Sequence, residues 1–363
     1  MELVLTGEQE ELRATVRRFF EERSPISRVR EIAEGDRDHD PDLWKRLSGE
    51  LGLAGLIVPE EHGGAGSGHV ELAVVLEEAG RALAPVPYLA SAALAPAALL
   101  ATGDEKAKAE LLPGIAAGET IATVAGADSH VTVTASGAGE AWTLSGRADL
   151  VLDGAYADLL MVVAASEHGT GLFAVRADAD GLTRRRLTSN DLTRSLARVD
   201  FAGTPARRLE GFDPDHGPVA IQAVADLALA AEQLGGLRRC LDMTLEYVRL
   251  RMQFGRPIGS FQAVKHACAD MYSDADMAYA ALRHAAWAAD GDPDAFPQAA
   301  AVAKIFCSDV YERMTAQTIQ LHGGIGFTWE HDAHLYFKRA RGTAGLFGST
   351  ARHRARLADR LGV

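Results

Sequence analysis

Arg251-Met252-Gln253-Phe254-Gly255-Arg256-Pro257-Ile258-Gly259-Ser260-Phe261-Gln262 lies between two long amphipathic patterns. Gly255 and Pro257 stop one helix, and Ser260 is placed to cap the next. Before it, residues 219–249 repeat apolar side chains at helical spacing. After it, 261–289 and 298–322 do the same, each long enough for a helix bundle. The last pattern runs into Gln320-Leu321-His322-Gly323-Gly324-Ile325-Gly326-Phe327, and a basic helix is expected over 350–361.

Further out, the texture changes twice. Thr6 and Gln9 form a capping-box pattern, followed by Leu12, Val16, Phe19 and Phe20 at helical spacing. Residues 42–53 and 70–83 repeat that period, Pro85 and Pro87 break it, and alanine-rich helix resumes to about Gly118. From Ile121 short β-like runs (131–134, 142–144, 150–152, 159–163, 172–175 and 197–201) alternate with Gly, Asp and Ser clusters, which predicts a small antiparallel barrel or sandwich. Beyond 211–218 the chain is helical again.

Composition narrows the function. The chain has 363 residues, 47% hydrophobic and 24% charged, with a formal charge of −13. That is ample core for two or three packed units, and it argues against nucleic acid or an anionic membrane face as a partner. Met1-Glu2-Leu3-Val4-Leu5-Thr6 lacks a basic leader with a long apolar run, so a cytoplasmic location is expected. Cys240, Cys268 and Cys307 show neither disulfide nor zinc spacing and read as packing residues. The glycines of 63–68 follow no strand, which removes the dinucleotide-fold reading. His331 and His334 lack a third ligand, so no metal is expected.

Arg251 at a helix end can face a diphosphate, because guanidinium matches phosphate oxygens with parallel hydrogen bonds. Gly323 and Gly324 would let a ligand lie on bare backbone, although a plain helix C-cap reads equally well. Together, the two segments resemble the C-terminal domain of the acyl-CoA dehydrogenase family. Pro59-Glu60-Glu61-His62-Gly63-Gly64-Ala65-Gly66 and Leu76-Glu77-Glu78-Ala79-Gly80 resemble its N-terminal domain, and Leu144-Ser145-Gly146-Arg147 resembles the start of a strand in its β-domain. The resemblance implies an α+β fold: an N-terminal helical domain (1–118), a middle β-barrel (119–212) and a C-terminal four-helix bundle (213–363). It implies FAD, held by Arg251, Gln253, Phe254, Gln262, Gln320, Gly323 and Gly324 at the pyrophosphate and adenine end, with the flavin ring in the neighbouring subunit. The substrate implied is an acyl-CoA thioester, and the electron acceptor an electron-transfer flavoprotein.

In this family a carboxylate removes the α-proton while flavin takes hydride from the β-carbon. Here Phe347 stands at the usual base position, within Leu346-Phe347-Gly348-Ser349, and Ala225 stands at the alternative one. Asp226 is next to Ala225, but one helical step turns a side chain about 100° away, and its plainer reading is a solvated helix residue. The flavin-ring cradle reads Val124-Ala125-Gly126-Ala127-Asp128-Ser129, where the family carries more polar residues. Leu150-Val151-Leu152 replaces its Trp-Ile-Thr strand.

Losses at three places beside a retained clamp predict a base-lacking subunit that shares flavin with a homologous catalytic partner in a heterotetramer. The enzyme alternative is a self-sufficient homotetramer with a displaced acid such as Asp226 or Glu232, or a related oxidase or monooxygenase. The non-enzymatic alternative is a flavin-free scaffold.

Overall fold

Thr6 and Gln9 cap the first helix reciprocally: Thr6 Oγ1 accepts the Gln9 N–H at 3.3 Å and Gln9 Oε1 accepts the Thr6 N–H at 3.0 Å. The computed structural model describes residues 4–35, 37–126, 132–139 and 141–362. Helices α1 (Gly7–Arg23), α2 (Ile26–Glu34), α3 (Pro41–Gly49) and α4 (His69–Ala82) come first. The helix expected over 42–53 ends early. Gly52 takes φ +66°, which turns the chain into a short 3₁₀ segment, Leu53–Gly55. The alanine-rich stretch is a π-helical segment (Tyr88–Leu94) followed by α5 (Ala95–Leu100) and α6 (Glu105–Ala116).

The β region is a barrel. Strands β1 (Ala122–Ala125), β2 (Thr132–Ala138), β3 (Ala141–Leu152), β4 (Leu159–Ser166), β5 (Gly169–Arg176), β6 (Leu182–Arg186) and β7 (Leu196–Leu209) form one sheet. The pairings β2–β3, β3–β7, β7–β5, β5–β4 and β4–β2 close a ring. It departs from the expected antiparallel pattern because β4 pairs in parallel with both β1 and β2. The runs 142–144 and 150–152 belong to one strand. Register shifts at Leu144/Ser145 and Ala148/Val151 bend β3 and break its alternation. Trp142, Leu144, Val162, Phe173 and Phe201 fill the interior. Outside, Arg147 pairs with Asp200 directly across the β3–β7 ladder at 2.6 Å.

The remaining helices are α7 (Gly217–Leu250), α8 (Gln262–Gly291), α9 (Phe296–His322), α10 (Ala333–Ala344) and α11 (Thr350–Leu361). The chain divides into two compact units. One holds Met1–Arg30, Ala73–Ala84 and Leu229–Val363, and the other holds Glu31–Leu72 and Pro85–Ala228. In the first unit α4 crosses α7 at backbone contact. A Cβ added to Gly80 would lie 2.1 Å from Glu232 O, and one added to Gly235 would lie 1.7 Å from Glu77 O. Only glycine allows that approach. Beside the crossing, the buried Glu77 carboxylate accepts Arg238 at 2.6 Å and Arg283 at 2.7 Å. Removing one member of such a buried pair costs about 3–5 kcal/mol.

Cys240 and Cys307 are buried and Cys268 half-buried, all as free thiols. Burial pushes the Cys240 and Cys307 thiols up to about 12. Among the described residues no helix is long and apolar enough to cross a membrane.

Candidate functional site

The segment after α7 folds into a hairpin that pushes side chains outward. The Arg251 N–H donates to Tyr247 O at 2.8 Å, and the Ile258 N–H donates to Arg251 O at 2.8 Å. Between them β8 (Met252–Gln253) pairs with β9 (Arg256–Pro257), leaving Phe254 and Gly255 as the turn. Both have positive φ, +51° and +76°, as a two-residue type I′ turn requires. A bulky residue in that conformation costs about 1–2 kcal/mol. Phe254 nevertheless is 90% exposed, touching Phe261 edge-on at 6.1 Å. Phe254 is thus both strained and exposed.

Ser260 does not cap the next helix. It lies in a 3₁₀ turn, Ile258–Ser260, with its Oγ buried and without a hydrogen-bond partner. Phe261 is the N-cap, and α8 begins at Gln262. Pro257 fixes the backbone that starts this extra turn, which moves the helix start one residue on.

The second segment ends α9. Gly323 caps it at φ +63° and ψ −141°, a conformation open essentially to glycine alone, and its N–H donates to Gln320 O. Gly324 is different: nothing stands within 4 Å of an added Cβ, so no packing inside this chain calls for glycine there. Gly326 is an internal packing glycine, where a Cβ would meet Ile319 O and His322 Cβ at 2.8 Å.

His322 joins the two segments. Its ring stacks on Tyr247 at 4.4 Å, one turn before Arg251, and its Nδ1 meets Thr318 O at 2.7 Å. Burial lowers its pKa below the ordinary histidine value, opposed by hydrogen bonds to the Thr318 and Met243 backbone, and at the Thr318 carbonyl Nδ1–H is the donor. Sequence spacing gave no sign of this stack. His331 packs on His322 at 4.3 Å and His334 lies against Trp329 at 4.8 Å. Among the described residues no group of three or more His, Cys, Asp or Glu side chains is arranged around a metal position.

The seven residues that the resemblance assigns to a flavin clamp, Arg251, Gln253, Phe254, Gln262, Gln320, Gly323 and Gly324, are all exposed. Phe327 at 86% and Trp329 at 67% extend the exposed aromatic surface. A guanidinium, side-chain amides and bare glycine backbone are donors suited to a dinucleotide diphosphate. The open space over Gly324 gives it room, so the residues fit the group.

The two positions that the resemblance assigns to the base, Phe347 and Ala225, hold no carboxylate. Phe347 is buried at φ +56° in the turn after α10. That turn is anchored by Lys304, a wholly buried residue of α9 whose Nζ donates to Ser308 Oγ at 2.8 Å and to the carbonyls of Thr343 and Ala344 at 3.3 and 3.4 Å. Nothing in the sequence distinguishes this lysine from a surface one. Ala225 is buried in α7. Asp226 corrects the solvated reading: it is buried, and its Oδ1 accepts Gln222 Nε2 at 2.8 Å. The middle of α7 is buried on nearly every face, so helical phase alone misjudged it. The Glu232 carboxylate faces Arg339 at 3.9 Å.

In the barrel, Leu150 sits in the β3 irregularity at φ +58° and Leu152 is buried, its carbonyl accepting Thr123 Oγ1. Of the eroded cradle, Val124 and Ala125 are buried in β1, while Ala127, Asp128 and Ser129 lie outside the described residues.

Residues 6–119 match the acyl-CoA dehydrogenase N-terminal domain and residues 223–362 the acyl-CoA dehydrogenase C-terminal domain. The acyl-CoA dehydrogenase IpdE2 of Mycolicibacterium smegmatis is 38% identical over 346 residues, covering 95% of this chain and 96% of that protein. Among solved structures, the ChsE4-ChsE5 complex from Mycobacterium tuberculosis superposes with a TM-score of 0.93 at 31% identity, covering 100% of this chain and 99% of that one. A variant of the Tcur3481-Tcur3483 steroid ACAD gives 0.88 at 34% identity, covering 98% of each chain. The chain belongs to the acyl-CoA dehydrogenase family, with its N-terminal helical, middle β and C-terminal helical domains, and is thereby a member of a family of FAD-dependent oxidoreductases.

Proposed function

We propose that this protein is the base-lacking, flavin-clamping subunit of a heterotetrameric acyl-CoA dehydrogenase, acting in α,β-dehydrogenation of an acyl-CoA thioester. One observation supports the reading: the residues matching the family's flavin-clamp segments are exposed, while Phe347 and Ala225 stand where the resemblance expects a carboxylate base. A side chain that cannot accept a proton cannot take the α-proton, whatever its placement. The clamp residues Arg251, Gln253, Phe254, Gln262, Gln320, Gly323 and Gly324 would hold the diphosphate and adenine end of FAD whose ring is cradled by a homologous subunit. Bound there, FAD would supply the hydride acceptor.

The names of two similar structures support pairing, since each joins two components, and one names a steroid substrate class. We accordingly assign a steroid-derived or similarly bulky acyl group to the substrate and an electron-transfer flavoprotein to reoxidation. The domain boundaries at 118/119 and 212/213 belong to the same proposal, supported by family matches that end at 119 and resume at 223.

Asp226 favours a second reading. A buried carboxylate one residue from Ala225 is the group a self-sufficient enzyme would use. Acyl-CoA dehydrogenation assays decide between them. The subunit reading expects no turnover by this chain with added FAD, and turnover on adding a carboxylate-bearing partner that survives Asp226→Asn. Turnover by the chain alone, lost in Asp226→Asn, would establish the second reading.

A further inference from the structure

We propose that the first compact unit carries an oxyanion site, separate from the flavin clamp, that takes the phosphate group of a small phosphate-bearing molecule. A cavity of about 240 Å³ is lined by Arg17, Ser24, Ile26, Arg81, Arg239 and Tyr336, together with Glu21 and Glu78. None of the clamp residues contributes to it.

Two of its arginines pair with carboxylates, which leaves Arg239 inside and Glu21 at the rim. Arg17 donates to both oxygens of Glu78 at 2.9 and 2.7 Å, and Arg81 pairs with Asp242 at 2.7 Å. Tyr336 donates its hydroxyl to Arg81 O at 2.7 Å. Glu21 is exposed at the rim, where solvent screens it. Arg239 is partly buried and makes no ion pair within 4 Å among the described residues. A half-buried guanidinium without a counter-ion is the group that binds oxyanions in two-pronged geometry.

An independent feature points to the same ligand. Ser24 is only 3% exposed, and its Oγ has no hydrogen-bond partner. Buried hydroxyls are normally paired, so an orphan on a cavity wall is a donor awaiting an acceptor. Ser24 ends α1 and stands just before the N-terminus of α2. The partial charges at those two helix ends are each about half an elementary charge and of opposite sign, so they largely offset. The full charge of Arg239 therefore decides the sign, and the site selects an anion with acceptor oxygens for both Arg239 and Ser24.

Titration of the full-length protein with inorganic phosphate in a calorimeter, at constant ionic strength against chloride, tests the site. Saturable binding is expected at one site per chain. It should weaken about tenfold or more in Arg239→Gln, the worth of one charge-assisted hydrogen bond, weaken less in Arg239→Lys, and fall in Ser24→Ala. A parallel titration with glycerol phosphate identifies the source: tighter binding than phosphate assigns a phosphomonoester, and weaker binding assigns the free ion. Ser24→Ala removes only a hydroxyl, so it keeps the test open if Arg239→Gln fails to fold. Absent binding in wild type, or binding unchanged in either folded variant, overturns the proposal.

Discussion

The imidazole of His322 lies on the ring of Tyr247 with centroids 4.4 Å apart, and this contact sets the spacing between the Arg251 hairpin and the Gly323-Gly324 corner. Each segment hangs one turn or less from the stack. His322→Ala removes an aromatic pair worth about 0.5–1.5 kcal/mol beyond its buried area. The expected result is a chain that still folds, seen by far-UV circular dichroism, but whose complex with its partner loses flavin on gel filtration. Unchanged flavin content would show that the two segments are positioned independently.

Two glycine substitutions should separate folding from clamping. Gly80→Ala drives a methyl to 2.1 Å from Glu232 O, and overpacking of this kind costs about 1–3 kcal/mol or more. Lower yield and an earlier urea midpoint are expected. Gly324→Ala meets nothing within 4 Å, so stability should stay within about 0.5 kcal/mol, while flavin occupancy of the complex drops. Equal effects on stability would remove the argument that Gly324 serves a ligand.

Acid sensitivity should trace to buried histidines. Burial, then the nearby Arg356 and Lys304 charges, lowers His353 to about 4. Below its unfolded value of about 6.5, the unfolded chain takes up a proton that the folded chain refuses until about pH 4. Stability therefore falls as pH drops through that window, by up to about 3 kcal/mol for this residue. Urea unfolding at pH 7 and pH 4.5 should show a smaller loss in His353→Gln than in wild type. An equal loss would place the acid sensitivity elsewhere, for example at His322, His331 or His334, whose values burial also lowers.

Restoring a carboxylate at the usual base position should not create an enzyme. Phe347 is buried, and an unpaired carboxylic acid placed there costs about 2 kcal/mol or more. In the barrel, Leu150 and Leu152 offer a flavin ring no aromatic face and no hydroxyl. Phe347→Glu is expected to be destabilised and to remain inactive alone in an acyl-CoA dehydrogenation assay. Turnover by that variant would show that the cradle is intact.

Long, strongly periodic segments were legible: the pattern over 219–249 became Gly217–Leu250 and that over 298–322 became Phe296–His322. Elements whose stabilisation comes from neighbours were not. Strand Leu182–Arg186 carries three consecutive arginines at the sheet margin, so it shows no apolar alternation. Helix Ala333–Ala344 starts without a side-chain cap and was missed. The seven residues proposed for the flavin clamp were named from the family resemblance, and the structure places all of them at the surface. The Tyr247–His322 stack, buried Asp226 and the Lys304 anchor could not be named, since each depends on which faces of long helices are covered. Helical phase does not reveal that when nearly all faces are buried.

The most direct measurement is the visible absorption spectrum of this chain purified alone and then co-expressed with a carboxylate-bearing homologous partner. The isolated chain is expected to carry no flavin, and the complex flavin at about one for every two chains, as a shared site requires. One flavin per chain in the isolated protein, bleached on adding an acyl-CoA, would contradict a shared site and identify this chain as a complete enzyme.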